Sequence, residues 1–313
     1  MNKTKETFVF GFALFAGFFG AGNLILPPLL GFNSGSDWWL VTLGFVTSAT
    51  IIPLLAIYGH AKLQGTMFDF GKKVSPLFSL IFCFCMYAIS IALPCPRTAA
   101  VTHEIAIAPF FGTSPLLTSI VYFLLAFVFV MNRNKVLSIL GKYLTPIIGI
   151  ILLAIIVIGI GAPVTEMNPS NFELPIISGL LEGYQTYDAM AGLIMGGVVL
   201  VSINNSKISM SFSEKKTMIV KSGLIAMIGL LIIYAGLILV GALYNAQFDT
   251  GISRTDLLSG LATKTLGNIG STFLSVLVAL ACFTTAVAVI VSISDFFKVY
   301  FKAFQNAYLI TAI

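Results

Sequence analysis

Three glycines and an asparagine lie together at residues 17–23 (GFFGAGN), inside the first long apolar segment of the chain. Each glycine lowers helix stability by about 1 kcal/mol, so we expect the helix to open here and to restart near Gly22. The N–H groups that begin the second half-helix suit a carboxylate, and free carbonyls at residues 16–19 suit a small cation such as Na⁺. Asn23 adds a side-chain oxygen, and the prolines at 27–28 are expected to close the segment.

More oxygen ligands for a cation are predicted in the last apolar segment, where Ala281, Thr284 and Thr285 stand at positions i, i+3 and i+4 and share one helix face. One carbonyl and two hydroxyls form half of an oxygen-only shell, which the carbonyls of the first segment would complete. Each feature also has a simpler interpretation. The glycines could let helices pack closely, and each threonine could bond its own i−4 carbonyl. Asn23 and the double proline favour a binding site.

A weak echo of this break occurs at residues 179–192 (GLLEGYQTYDAMAG), where glycine and polar residues again interrupt an apolar segment. The two interrupted segments are the first and the sixth. A set of five segments crosses the membrane an odd number of times, so a second set of five would begin on the opposite side and have the opposite orientation. Broken helices at corresponding positions of inverted repeats point to a binding site at the middle of the membrane. We expect Asp188 to cap the second half-helix; Glu182 could attract an ammonium group.

Arg97 and Glu104 lie in the third apolar segment, about two turns or roughly 10 Å apart on one helix face. Charges within a membrane usually pair, face a cavity or mark a pathway. Together with Glu182 they are candidate gate or coupling groups. The alternative is that Pro94 and Pro96 place Arg97 near an interface, with each charge pairing to another helix.

The composition indicates an integral membrane protein. Of 313 residues, 58% are hydrophobic and 9% are charged, whereas soluble domains carry about 25% charged residues. A span needs about 20 apolar residues, and eight segments meet this requirement within a single membrane domain, 1–313. The predicted spans are 8–30, 40–61, 77–109, 115–131, 143–162, 179–203, 220–243 and 271–296.

Lysine and arginine are concentrated on alternate loops, whereas loops 32–39, 110–114 and 163–178 have neither. The positive-inside rule therefore predicts a cytoplasmic amino terminus. The net charge of +5 follows from this topology, and no basic run interleaved with aromatics indicates nucleic acid. In the loop after span seven, Arg254–Thr265 could form a helix over the outer mouth or an ordinary solvated surface helix.

The chain resembles the bacterial branched-chain amino acid:cation symporters, the LIVCS family of the amino acid–polyamine–organocation superfamily. The likeness covers essentially the whole chain and is carried by residues 18–28 (FFGAGNLILPP), 96–99 (PRTA) and 182–189 (EGYQTYDA). It implies an all-α fold like that of the sodium-coupled leucine transporter, with two inverted five-helix repeats and broken spans one and six. The family has about twelve spans, so the second repeat is expected to be incomplete here, truncated after span eight.

The resemblance also implies a site at residue level. The ligands of the coupling Na⁺ would be the carbonyls of Ala16, Phe19 and Ala281 and the hydroxyls of Thr284 and Thr285. The substrate would bind through the amides of Ala21 and Gly22 beside Asn23, and it would face Gly183, Tyr184, Thr186 and Tyr187 of span six. No cofactor is expected beyond the coupling ion, for which H⁺ is the alternative.

The expected function is secondary active symport, in which Na⁺ drives leucine, isoleucine or valine into the cell by alternating access. The protein would lie in the bilayer of the bacterial cytoplasmic membrane. A channel would need carbonyls or charges along a pore, whereas here the polar groups cluster at one depth. The sequence has no GxSxG or HExxH motif to indicate an enzyme. A non-transporting fragment or an assembly partner of a transporter is the alternative.

Overall fold

The computed structural model describes residues 3–131, 145–161, 166–204 and 210–300, and the regular structure in these ranges is helical throughout. We number the helices in chain order: α1 Lys3–Phe18, α2 Ala21–Ser34, α3 Trp38–Val46, α4 Ile52–Leu63, α5 Met67–Lys72, α6 Pro76–Ala92, α7 Pro94–Val101, α8 Ala108–Phe111, α9 Pro115–Val130, α10 Thr145–Gly161, α11 Pro175–Tyr184, α12 Asp188–Asn204, α13 Phe212–Leu243, α14 Arg254–Leu266 and α15 Asn268–Tyr300. Short 3₁₀ turns occur at Gly35–Asp37 and Asn245–Gln247, and π-helical turns at Thr47–Ile51 and Thr102–Ile107.

Among the described residues, four helical stretches are long and apolar enough to cross a membrane: Ala21–Leu63, Pro76–Phe111, Phe212–Leu243 and Ile269–Lys298. The pair α11 and α12, bent by 43°, makes a fifth candidate if it is counted as one span. Helices α9 and α10 are apolar but shorter. Loop residues 133–142 and 207 and the segment Ala303–Ile313 lie outside the described residues, so the eight-span topology and its orientation stay predictions.

Helix α13 lies at the centre of the fold and crosses α2 at close range. At Gly31 an added Cβ would collide with the carbonyl of Ile238, and at Gly241 with that of Pro28. Small residues let two membrane helices approach until their backbones touch. On the same helix, the ring of Tyr234 is fully buried and stands edge-on to Phe45, with ring centroids 5.1 Å apart. Together these contacts pack α2 and α3 against α13 beside the first helix break.

Helix α2 does not end at its double proline, so the prediction that Pro27 and Pro28 close the first segment is wrong. The helix continues through both residues to Ser34. Membrane helices tolerate proline because neighbouring groups can satisfy the carbonyls that lose their donors. The chain turns instead at Gly35, whose φ of +48° favours glycine. A Cβ on Gly35 would also collide with the carbonyl of Asn168.

Helix α14, in the loop after α13, is docked on the protein and is not a solvated surface helix. Its predicted apolar face is buried, with Leu257, Leu258 and Leu261 at most 1% exposed. At its first residue, Arg254 lies 3.8 Å from Glu182 of α11. The first residue of α14 therefore reaches the first half of the broken sixth span, while the helix packs against α2 and α15.

Candidate functional site

The first helix break is held open by a side chain. Helix α1 ends at Phe18 and α2 begins at Ala21, one residue before the predicted restart. The N–H of Gly20 donates to Asn23 Oδ1 at 3.1 Å, so it does not make the helical bond to the Ala16 carbonyl. Asn23 therefore caps its own helix and frees a carbonyl at the end of α1.

The second break lies between α11 and α12, at residues 185–187. Thr186 Oγ1 donates to the Gly183 carbonyl at 2.7 Å and accepts from the N–H of Asp188 at 3.2 Å. Tyr187 has a φ of +63°, which is uncommon outside glycine and is found most often at functional sites. Asp188 was predicted to cap α12, but Thr186 provides the hydroxyl that accepts from the start of this helix.

The Asp188 carboxylate joins the two breaks. Asn23 Nδ2 donates to both of its oxygens, at 3.0 and 2.8 Å, and the Tyr234 hydroxyl donates to Oδ2 at 2.7 Å. Asn23 Nδ2 also lies in contact with the Tyr234 hydroxyl. The three residues are at most 1% exposed, and a buried carboxylate is stable only when it is hydrogen-bonded or paired. This trio connects the second halves of spans one and six to α13.

A small cavity of about 50 Å³ lies between the breaks. A water needs roughly 10–15 Å³ measured this way, so the cavity holds only a few waters and must widen to admit an organic substrate. Its lining combines polar groups at the breaks with apolar side chains from α12 and α15: Gly17, Phe18, Gly20, Ala21, Gly22, Asn23, Ser90, Pro94, Arg97, Thr98, Thr186, Tyr187, Asp188, Met190, Ala191, Ile194, Met195, Thr285 and Val289.

Five of the seven predicted substrate residues line this cavity: Ala21, Gly22, Asn23, Thr186 and Tyr187. Gly183 and Tyr184 do not. Gly183 packs against α3 and the π-helical turn that follows it, where a Cβ would collide with Ser48 Oγ and would lie 2.8 Å from the Phe45 carbonyl. Tyr184 is 49% exposed. Both residues belong to the first half of span six, whose glycines face α3.

One hydrogen bond joins the two helices that were predicted to supply the cation ligands. Thr285 Oγ1 donates to the Phe19 carbonyl at 3.2 Å, and Thr284 Oγ1 donates to the Ala281 carbonyl at 2.8 Å. All four residues and Ala16 are buried. A Cβ on Gly20 would lie 3.0 Å from Thr285 Oγ1, so the absent side chain is what lets α15 approach the break.

Within the described ranges, no group of three or more His, Cys, Asp or Glu side chains could hold a metal ion.

The three predicted gate or coupling charges are separated. Arg97 lines the cavity, and its Nη1 donates to the Gln185 carbonyl at 2.9 Å. Arg97 is therefore at the site and not at an interface. Glu104 is exposed, and in the described part of the chain it makes no ion pair with Arg97. Glu182 lies outside the cavity, beside Arg254.

Sequence reasoning missed Tyr234 and the apolar side of the cavity. A single phenol in the middle of the apolar span 220–243 was the available signal, because a buried tyrosine hydroxyl usually needs a partner. The apolar wall formed by Met190, Ile194, Met195 and Val289 gave no such signal, since these types are common in any membrane helix.

Residues 3–313 match the family model described as branched-chain amino acid transport protein. The chain belongs to this family. Among its relatives, branched-chain amino acid permease BraB of Bacillus subtilis is 32% identical, and the match covers 99% of this chain and 71% of the relative. Branched-chain amino acid permease BrnQ of Corynebacterium glutamicum is 33% identical over 95% of this chain and 69% of the relative. The relatives are transporters, so this is a multi-pass transport-family protein of the bacterial cytoplasmic membrane.

Similar solved structures identify the fold of this chain. Mhp1, a nucleobase-cation-symport-1 family transporter in a closed conformation with bromovinylhydantoin bound, superposes with a TM-score of 0.66. The match has 12% identity and covers 98% of this chain and 69% of Mhp1. The Eremococcus coleocola manganese transporter matches with a TM-score of 0.64 and 15% identity, over 97% of this chain and 69% of that one. The predicted leucine-transporter-like fold with broken spans one and six is confirmed.

Proposed function

We propose that this chain couples the entry of Na⁺ to the uptake of a branched-chain amino acid. One observation carries the proposal: the two helix breaks enclose a cavity, and a threonine of α15 contacts the break in span one. The cavity offers free N–H groups and apolar walls, while the threonine contact offers oxygens. These are separate places for an amino acid and for a hard cation. The names of the relatives support the substrate class.

The substrate carboxylate binds at the start of α2. The first N–H groups of a helix have no partner within that helix and carry the positive end of its dipole. The Gly20 N–H is already used by Asn23, so the N–H groups of Ala21 and Gly22, which line the cavity, are the ones that remain. A branched side chain then fits against Met190, Ile194 and Met195, on the other side of the cavity.

The Na⁺ site lies between α15 and the end of α1. Its ligands are the carbonyls of Ala16, Phe19 and Ala281 and the hydroxyls of Thr284 and Thr285. The hydroxyls donate to carbonyls in the structure, and a cation would replace these two hydrogen bonds with ion–oxygen contacts. Because α15 and span one supply different ligands, Na⁺ holds them together and stabilises one state of an alternating-access cycle. In this scheme the amino terminus is cytoplasmic.

The test is uptake of labelled isoleucine into proteoliposomes that carry this chain, under an imposed Na⁺ gradient and separately under a proton gradient. Accumulation is expected with Na⁺ and is expected to be lost when Thr284→Ala and Thr285→Ala are combined. Thr263→Ala is the matched control, since it removes a threonine hydroxyl from α14, which only bonds the carbonyl of Ser259. Accumulation driven only by protons would contradict the Na⁺ assignment. Absence of uptake, with a full-length relative active in the same preparation, would contradict transport by this chain.

A further inference from the structure

Arg97 is a cation of the third apolar segment that makes no ion pair with the described residues. Over residues 3–131, 145–161, 166–204 and 210–300, no carboxylate lies within 4 Å of its guanidinium. A guanidinium has five N–H donors, and the hydrogen bond to the Gln185 carbonyl uses one of them. An uncompensated charge within a membrane protein costs several kcal/mol and is usually retained for a function. The remaining donors are therefore available to a ligand.

The guanidinium faces the same space as the start of α2. A Cβ built on Gly22 would lie 3.2 Å from Arg97 Nη1 and 3.5 Å from the Gln185 carbonyl. Any side chain at position 22 would thus fill the gap between the helix start and the guanidinium. The free N–H groups of Ala21 and Gly22 and the free N–H groups of Arg97 converge on one small volume, and all are donors.

The hydrogen-bond donors left unused in the cavity also favour an anionic ligand. Arg97 and Asp188 are the charged residues in its lining. The Asp188 carboxylate already accepts three hydrogen bonds from Asn23 and Tyr234, whereas Arg97 keeps most of its donors. The hydrogen-bonding capacity that remains in the cavity is therefore that of the cationic donor, Arg97.

We propose that Arg97 binds the α-carboxylate of the substrate, as a side-chain clamp opposite the N–H groups that begin α2. This inference rests on the proposed function, because it assumes that the cavity takes an amino acid. Arginine suits the role, since its planar fork matches a carboxylate with two parallel hydrogen bonds, while a lysine offers only a point charge. The consequence is selectivity: the site accepts an amino acid and rejects the corresponding neutral amide.

The test measures binding of labelled isoleucine to the purified full chain, with L-leucine and L-leucinamide as competitors. The two competitors share the ammonium group and the branched side chain and differ only at the carboxyl group. Wild-type protein is expected to prefer leucine strongly. A hydrogen bond to a charged group contributes about 1.5–3 kcal/mol, so Arg97→Gln is expected to weaken leucine binding about 10- to 100-fold. Its binding of leucinamide is expected to change by less than about threefold.

Arg97→Lys is a second variant that keeps the charge, and it is expected to show intermediate selectivity because the parallel pair of hydrogen bonds is lost. Lys264→Gln is the matched control, since it removes a cation from the exposed face of α14 and is expected to bind like wild type. A purely structural role, in which Arg97 only holds the Gln185 carbonyl, predicts that both competitors weaken together.

A wild-type ratio of leucine to leucinamide affinity in Arg97→Gln would overturn the inference and leave the transport proposal intact. If that variant does not fold, an unchanged ratio in Arg97→Lys has the same meaning. Failure of the wild-type chain to bind any branched-chain amino acid would instead overturn the proposed function, and the inference with it.

Discussion

The trio of Asn23, Asp188 and Tyr234 can be tested by removing a single oxygen atom. In Tyr234→Phe the ring keeps its buried place and its edge-on contact with Phe45, but the hydrogen bond to Asp188 is lost. Because the acceptor is a buried carboxylate, the loss is about 1.5–3 kcal/mol of folding free energy. The ring packing contributes equally to both proteins and cancels from the comparison.

Tyr122→Phe is the matched control within the same chain. Tyr122 is also buried, at 6% exposed, but its hydroxyl has no hydrogen-bond partner among the described residues. A buried hydroxyl without a partner is costly, so its removal is expected to be neutral or stabilising. The two substitutions delete the same atom from equally buried tyrosines and differ in whether that atom is bonded.

The assay is thermal unfolding of the purified chains in one detergent. The measured quantity is the fraction of protein that remains soluble and monodisperse at each temperature. Tyr234→Phe is expected to unfold several degrees below wild type, and Tyr122→Phe at or above it. Equal melting temperatures for the two variants would refute the argument that the trio holds the helix breaks together. A loss confined to Tyr122→Phe would mean that the hydrogen-bond assignments are reversed.

Gly20 and Gly183 are expected to respond differently to alanine. Gly20→Ala places a methyl group 3.0 Å from Thr285 Oγ1, which pushes α15 away from the break. We expect the Na⁺ concentration for half-maximal uptake to rise about tenfold, equivalent to about 1.4 kcal/mol. The melting temperature is expected to change much less than it does in Gly183→Ala. Gly183→Ala forces a methyl group against Ser48 and the Phe45 backbone and is expected to cost about 1–3 kcal/mol of stability. Thermal unfolding would show this cost, while the isoleucine affinity of the folded protein is expected to stay at the wild-type value. A large change in that affinity would instead support a substrate-binding role for Gly183.

Both helix breaks could be predicted from the sequence because each combines residues that a lipid-embedded helix normally avoids. Glycine weakens the helix, and Asn23 and Thr186 offer side-chain groups that can replace backbone partners. These are local effects, so a short stretch of sequence contains them. The resemblance to the branched-chain amino acid:cation symporters then assigned residues at these breaks, including Gly22 and Tyr187, to the substrate.

The packing partners of these residues could not be predicted, because they depend on contacts between distant parts of the chain. Gly183 and Gly20 look alike in sequence, yet one packs against α3 and the other faces a threonine of α15. Tyr234 is separated from Asn23 by 211 residues. The role of a glycine or a buried phenol is decided by the helix that happens to lie opposite, and no local pattern specifies that helix.

The distribution of hydrogen bonds around the cavity suggests which contacts separate during transport. The buried carboxylate of Asp188 accepts several hydrogen bonds, from Asn23 and Tyr234. These bonds connect the second halves of spans one and six to α13 strongly. By contrast, Arg97 of α7 and Thr285 of α15 each reach the breaks through one hydrogen bond to a backbone carbonyl.

These single hydrogen bonds are made by the groups proposed to bind the carboxylate and Na⁺. The ligands can therefore replace the hydrogen bonds that the protein loses when the helices separate. We therefore expect spans one and six to move together with α13, against α7 and α15. The places where the protein is most weakly tied are then the places where substrate and cation are held.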